Sequence, residues 1–361
     1  MTAKTALPTL RPNRLTGRPR KLLTQLLGHS LLIGIGLLFL VPFLWMLSTA
    51  FKSDQDIFRN PPSLLPHDFA RATVNGQSLP LYTVTQGDQV RDLALVKIEE
   101  GSGTFVDPAQ PGTTEVIRMK FAKPVLVLSL RWQNFLDAME RAQRPGIDVN
   151  FLVYFKNSLV IAVFSIIGTL ISCTLAAYGF AMIKWPGRDF IFYVVLATMM
   201  LPFQVTMIPL YVFFTTNLGW GNSPLPLIVP TFFANAYDIF LLRQFFRTIP
   251  TELLDAARVD GASEMDIFRK VVLPLSVPVL ATIAVFTFLY SWNDFTGPLI
   301  YLTSPEHFTM AIGLQDFQAQ HGVIWNQLMA ASVIFTIPII IAFLFTQKTF
   351  IQGIKLTGIK E

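Results

Sequence analysis

"LLDAARVDGASEMDIFRKVVLPL", Leu253 to Leu275, is the stretch whose reading decides the fold. It carries four acidic and three basic side chains in 23 residues. On each side of it the chain turns apolar for about the 20 residues that a helix needs to cross a bilayer. Thr251 to Asp260 reads as a short helix begun by Pro250. Glu252 lies in its first turn, where an acid suits the helix dipole. Gly261 suits the residue just past a helix, which favours positive φ. "SEMD" then fits a capping box, with Ser263 as N-cap and Asp266 three residues on. A second helix runs from about Glu264 until Pro274 and Pro278 bend the chain into the next apolar run. Ala256 and Ala257 leave one side of the first helix thin. A thin helix fits a groove in another protein, with Asp255, Arg258 and Asp260 pairing with the groove walls. On composition alone, a solvated interfacial helix that merely reorients the chain fits equally well.

The surroundings decide the class. The 361 residues are 52% hydrophobic and only 14% charged, with mean hydropathy +0.50. A soluble domain carries about 25% charged residues. The deficit predicts a polytopic membrane protein. The net charge of +5 does not indicate nucleic acid, because the basic residues flank apolar runs and form no aromatic-interleaved patch. The single cysteine, Cys173, leaves no intrachain disulfide and no cysteine-based metal site.

Uncharged runs place six spans, and the expected fold is all-α and polytopic. Leu22–Phe51 holds span one, Asn157–Ile183 span two, Val271–Asn293 span five and Phe317–Gln347 span six. Phe190 to Tyr237 is uncharged for 48 residues, too long for one helix. It breaks at "NLGWGNSPLP", whose Gly, Asn and Pro residues form turns, and so holds spans three and four. Sixteen Lys and Arg fall on one side if both termini are cytoplasmic: six before span one, two in "KWPGRD", five between spans four and five and three in the tail. A cleaved signal peptide fits poorly, since such leaders total about 15–30 residues.

The segment between spans one and two differs. "LYTVTQGD", "LALVKIEEGSG", "TTEVIRMKF" and "PVLVLSL" read as strands cut by turn residues. They predict a β-rich insertion at about 67–131, followed by an amphipathic helix over Arg131–Arg144 with Trp132, Phe135, Leu136 and Met139 at helical spacing. The insertion reads as a docking surface for an extracytoplasmic partner, or as a spacer above the bundle. The expected organisation is a cytoplasmic segment (1–28), transmembrane helix 1 (29–51), an extracytoplasmic segment (52–150), a core of helices 2–6 (151–347) with a cytoplasmic loop at 243–276, and a cytoplasmic tail (348–361).

Asp-Ala-Ala at 255–257, Gly261, Val271 and Leu273-Pro274 resemble the "EAA" signature of ABC importer permeases, with Asp255 where that family usually has Glu. "YFKNSLVIA" (154–162), "AAYGFA" (176–181), "IPLYVFF" (208–214), "FLLRQFFRTIPTELLDAARVDGAS" (240–263) and "SWNDFTGPLI" (291–300) resemble the carbohydrate-uptake branch, which includes the second permease subunit of the maltose transporter. The resemblance covers about 30–66 and 132–361 and leaves out the β-rich insertion. It implies a bacterial or archaeal inner-membrane subunit without catalysis of its own. It implies a coupling helix at about 251–260, made by Glu252, Asp255, Ala256, Ala257, Arg258, Asp260 and Gly261, with Pro274 passing its movement to span five. Two ATPase subunits would bind ATP and magnesium, since this chain has no G-x-x-x-x-G-K-[ST] phosphate loop and binds no cofactor directly. A second, homologous permease, an extracytoplasmic solute-binding protein, membrane lipid and a sugar substrate complete the implied partners.

A sugar path needs hydrogen-bonding groups and aromatic faces. Gln204, bracketed by Pro202 and Pro209, is one candidate; Asn235 and Tyr237 in span four and Trp292, Asn293 and Asp294 at the end of span five are the others. For each polar residue the plainer reading is a helix–helix hydrogen bond, preferred for Asn157 and Ser158; for Trp292 it is an aromatic of the interfacial belt. Asp238 is an acid within a span, near Arg243. An ion-gradient-driven transporter would want several such groups mid-membrane, and Asp238 is the sole candidate. A membrane-embedded enzyme would want a catalytic motif, and there is no H-E-x-x-H.

Overall fold

A computed structural model describes residues 18–86, 89–140, 149–319 and 322–358. The described residues open on α1 (Arg18–Ala50), a 33-residue helix that from Leu23 on is exposed along most of its length and buried at Thr49 and Ala50. So long an exposed apolar surface is stable in hydrocarbon and not in water. It begins earlier than the expected span, and the basic residues before Arg18 lie outside the described residues. α2 (Asp54–Ile57) follows, capped by Ser53.

Eight strands come next: β1 (His67–Phe69), β2 (Arg71–Val74), β3 (Gln77–Gln86), β4 (Gln89–Glu99), β5 (Ser102–Asp107), β6 (Gln110–Arg118), β7 (Ala122–Pro124) and β8 (Leu126–Leu128). β2 to β6 form one antiparallel meander, β7 joins the same edge of β3 as β2, and β1 pairs separately with β8. Two hairpins turn on Asn75-Gly76 and Glu100-Gly101, four residues with positive φ, as a two-residue type I′ turn demands. Val84, Leu93, Leu95, Phe105 and Ile117 fill one face of the curled sheet, and Val74, Ala94 and Val106 the other.

α3 (Gln133–Glu140) keeps Phe135 and Met139 of the expected apolar face packed on the core and corrects it at Trp132 and Leu136. Asn134 and Ala138 are the buried residues, while Trp132 and Leu136 are 63% and 53% exposed. Trp132 packs edge-on against Phe51 at 4.7 Å between centroids. Residues 141–144 of the expected helix lie outside the described residues.

The helical core starts with α4 (Phe151–Ala181), capped by Asn150, whose side chain accepts from the Val153 N–H. α5 (Arg188–Thr198) and α6 (Phe203–Val212, continued by a π turn to Asn217) meet at 92°. Pro202, at the head of α6, lacks the N–H that would continue a helix. Pro209 sits within α6 without breaking it. α7 (Leu225–Ile228) leads through a 3₁₀ turn into α8 (Ala236–Phe246). Then come α9 (Thr251–Val259), α10 (Glu264–Ile267), a π turn, α11 (Leu273–Leu275), α12 (Val277–Asn293), α13 (Thr296–Tyr301) and α14 (Met310–Gly313). A short ladder of β9 (Gln318–Ala319) and β10 (Gly322–Val323) precedes α15 (Trp325–Gly358). Among the described residues, four stretches are long and apolar enough to cross a membrane: Leu23–Ala50, Phe151–Ala181, Leu225–Phe246 and Trp325–Gln347. The α5–α6 and α10–α12 pairs raise the number to six if each is one broken span.

Two apolar clusters organise this bundle. One joins Ala50, Phe151, Tyr154, Trp292, Phe308, Met310 and Phe317 with α15. The other joins Tyr178, Phe192, Leu242 and Phe246 with Leu254, Ile267, Phe268 and Val272, so the polar loop after α8 shares a core with α4. Asn157 donates to the Glu306 and Phe308 carbonyls at 2.8 and 3.0 Å, and Ser158 accepts from the Met310 N–H at 2.9 Å. Both side chains tie α4 to a connecting segment, the structural role preferred for them.

A polar hub fastens the β-rich unit to the bundle. Asn134 is buried and donates to the Ala50 and Lys52 carbonyls at 2.8 and 2.9 Å. Lys52 is buried, lies over the Trp45 ring at 4.6 Å and donates to the Ser63 carbonyl. Burial pushes its ammonium pKa down, with Asp56 opposing. Asp56 accepts from the His67 N–H at 2.8 Å, and Arg131 pairs with Asp68 at 2.6 Å. These bonds link α1, α2, β1 and α3, and at Lys52, Asp56 and Asn134 they partner polar groups withdrawn from water.

Candidate functional site

α9 runs as the sequence predicts, to within one residue, and its ending is fully built. The Gly261 N–H donates to the Arg258 carbonyl and the Ala262 N–H to the Ala257 carbonyl, both at 3.0 Å. This is a Schellman motif, and Gly261 supplies its positive φ of 80°. Ser263 caps α10, accepting from the Asp266 N–H at 3.2 Å.

Anchoring distinguishes the two sides of α9. Leu254 is buried against α4 and the π turn, and Ala257 packs beside it. Ala257 is therefore core-facing, a correction to the thin side expected from the alanine pair; Ala256 alone of the two is exposed. The open side carries Leu253 (48% exposed), Ala256 and Val259 (88%) at three-residue spacing, one apolar strip on a helix surface. Asp255 and Arg258 do not wait for an outside partner. Arg258 spans Asp255 Oδ1 at 2.9 Å and Glu264 Oε1 at 3.1 Å, and the Tyr178 hydroxyl donates to Glu264 Oε2 at 2.6 Å. Glu264, which sequence reasoning had not singled out, thus joins α9, α10 and α4. Glu252 lies exposed in the first turn and Asp260 exposed at the C-cap.

Pro274 sits in α11, and α10–α11 meet α12 at 77° around Ser276, which is wholly buried. The bend expected between Pro274 and Pro278 is present and lies directly after the loop anchored by Ile267 and Val272.

A cavity of about 720 Å³ opens between α4, α7–α8 and α12–α13. Its polar lining comes from Ser165 and Thr169, from Asn235, Tyr237 and Asp238, and from Tyr290, Ser291 and Asp294. Of the six expected path residues, Asn235, Tyr237 and Asp294 line it. Gln204 is exposed on α6 and not among the lining residues. Trp292 is 1% exposed, donates to the Phe335 carbonyl at 3.1 Å and stacks on Phe288, so it holds α12 to α15. Asn293 is exposed and donates to the Leu289 carbonyl of its own helix. The missed lining residues had a legible signal: Thr287, Tyr290 and Ser291 recur at helical spacing with the expected Asp294, as do Ser165 and Thr169.

Asn235 caps α8 reciprocally, accepting from the Asp238 N–H at 2.9 Å and donating to Asp238 Oδ2 at 2.6 Å. Arg243 does not pair with Asp238. It binds Asp189 at 3.2 Å and the Phe180 carbonyl at 3.1 Å. Asp294 accepts from the Gly297 N–H at 3.0 Å. Tyr237 and Tyr290, 48% and 75% exposed, stand where the cavity is open.

Broken apolar helices around an open, mainly apolar cavity that carries a few polar side chains, with a partly exposed helix pinned at one end, define a membrane transport subunit. The sequence profile of the binding-protein-dependent transport system inner membrane component matches residues 168–356, more than half of the chain, and the chain belongs to that family. It is a permease subunit of a binding-protein-dependent ABC importer. The arabinooligosaccharides transport system permease protein AraQ of Bacillus subtilis is 39% identical over 211 residues, 58% of this chain and 74% of that one. The sn-glycerol-3-phosphate transport system permease protein UgpE of Salmonella typhi is 37% identical over 214 residues, 58% and 75% of the two chains. A crystal structure of a bacterial ABC transporter involved in the import of the acidic polysaccharide alginate shares the fold. Its TM-score is 0.63 at 19% identity, over 94% of this chain and 99% of that one.

Proposed function

We propose that the chain forms one half of the pore of an ATP-driven importer for a neutral carbohydrate, with α9 as the peg that an ATPase subunit moves. The carrying observation is the exposed Leu253–Ala256–Val259 strip on a helix whose other side is fixed through Leu254 and Glu264. Force on that strip reaches α12 through α10, the π turn and the bend at Ser276. In this reading the chain crosses the membrane six times, α5–α6 and α10–α12 being broken spans, with both termini cytoplasmic. The loop holding α9 is then cytoplasmic and the β-rich unit extracytoplasmic, near the solute-binding protein. Two ATPase subunits supply ATP and magnesium, and a second permease closes the cavity on the side of Tyr237 and Tyr290.

The cavity chemistry supports a neutral solute. Asp238 and Asp294 line it, and no Lys, Arg or His stands among its described lining residues. Carboxylates accept from sugar hydroxyls and repel an anion in a low-dielectric site. AraQ is named for a neutral oligosaccharide and UgpE for an anion, so the relatives leave this choice to the cavity.

Val259→Cys tests the peg. Cys173 is buried, so the introduced thiol is the accessible one. A bifunctional thiol reagent should join it to an ATPase subunit in the assembled transporter; cross-linking only to lipid or to nothing rejects the assignment. Asp238→Asn with Asp294→Asn should raise KM for a neutral oligosaccharide roughly tenfold, measured as uptake into vesicles; an unchanged KM excludes these carboxylates from the path.

A further inference from the structure

The end of the bundle that carries α9 also carries a second charge cluster, on α5 and α8. Asp189 binds Arg188 at 3.1 Å and Arg243 at 3.2 Å. Arg247 follows Arg243 by one helical turn at the end of α8, its N–H donating to the Arg243 carbonyl at 3.1 Å. Lys184 and Arg188 line a polar hollow of about 260 Å³ with Trp185, Gly187, Asp189 and Phe190. Two arginines thus bind one carboxylate, Lys184 lines the same hollow, Arg247 lies one turn beyond Arg243, and Lys184 and Arg247 are both exposed. Arg243 is paired with Asp189, buried and stacked over Phe192 at 4.0 Å, so it holds the floor, with Arg188 sharing its carboxylate and Lys184 outside that bridge.

Directly beside this hollow the surface is apolar. Phe190 is 71% exposed and Tyr193 68%, with Ile191 and Val194 between and beyond them on α5. Trp185 is partly exposed and donates to the Gly179 carbonyl at 3.1 Å, which fixes the ring at the boundary of the two zones. A surplus of positive charge against a greasy wall matches a molecule with an anionic head and hydrocarbon tails. A free anion would gain nothing from the wall, and a neutral lipid nothing from the cations.

We propose that the hollow at Lys184–Phe190 is a binding site for an anionic phospholipid, its phosphate held by Lys184, Arg188 and Arg247 and its acyl chains lying along Phe190 and Tyr193. Basic residues at the membrane boundary attract anionic lipid by about fivefold in affinity each. The bound lipid would brace the α4–α5 corner to which Arg243 ties α8, without touching the cavity or α9.

The test uses the whole transporter in detergent, titrated with phosphatidylglycerol or phosphatidylcholine of identical chains and read by native mass spectrometry. One phosphatidylglycerol should be retained preferentially. Lys184→Gln with Arg247→Gln should cut that preference roughly twenty- to thirtyfold, while Lys184→Arg with Arg247→Lys keeps it. The first pair touches neither the Arg243–Asp189 bridge nor α9, and an unchanged elution profile reports folding. Equal retention of both lipids, or the same preference in the Gln pair, overturns the proposal. So does displacement of the lipid by inorganic phosphate, or binding that occurs only after the ATPase subunits are removed.

Discussion

At the residue scale, Gly261 shows how one backbone angle ends a helix where function needs it ended. A Cβ there would meet nothing within 4 Å, so no clash forbids a side chain. The φ of 80° does, at about 1–2 kcal/mol for an ordinary residue. Gly261→Val should therefore lower uptake while membrane insertion is kept. Gly261→Asn, which tolerates the left-handed region, should stay near wild type. A valine variant transporting at the normal rate would show that the Schellman ending is dispensable. The composition of the loop announced this glycine, but not that Ala257 faces inward. That follows from Leu254, whose burial sets the rotation of the helix about its own axis.

At the element scale, α9 is held by one apolar anchor and one polar relay. Leu254→Ala should release it, at about 2–5 kcal/mol of local stability. Tyr178→Phe removes a hydrogen bond to a partly exposed carboxylate, worth about 1 kcal/mol. Both variants should transport less solute per ATP hydrolysed by the assembled transporter while basal hydrolysis persists; an unchanged ratio would show that the relay carries no force. The cavity is also an element-scale object. Gly168 lets the 3₁₀ turn after α7 lie so close to α4 that a Cβ there would overlap the Thr231 and Phe232 side chains. Ser172 bonds the same turn, 2.9 Å from the Thr231 carbonyl and accepting from the Ala234 N–H at 3.1 Å. Those contacts present Asn235, Tyr237 and Asp238 to the cavity.

At the scale of the whole molecule, the β-rich unit is a fixed platform, because the hub around Asn134 and Lys52 joins it to α1, α3 and α15. Asn326 completes the link, lying 3.5 Å from Asn134 Oδ1. Asn134→Ala leaves two buried carbonyls without that donor, a cost of about 1–3 kcal/mol. Amide exchange across residues 58–66 and in β1 should then speed up while β3–β5 stay protected. Protection lost uniformly, or not at all, would reject a local hub.

The membrane class, the apolar runs, the β-rich insertion and the helix–turn–helix around Gly261 were all legible in the chain, because each rests on local length, charge and periodicity. Which alanine faces out, which polar residues share a cavity, and that Trp292 and Gln204 do not, required the packed bundle. The bends at Pro202 and Ser276 follow prolines in the local sequence, but the rotation of a helix about its axis and the gathering of polar side chains around one cavity depend on contacts between residues far apart in sequence, and no local pattern records those contacts.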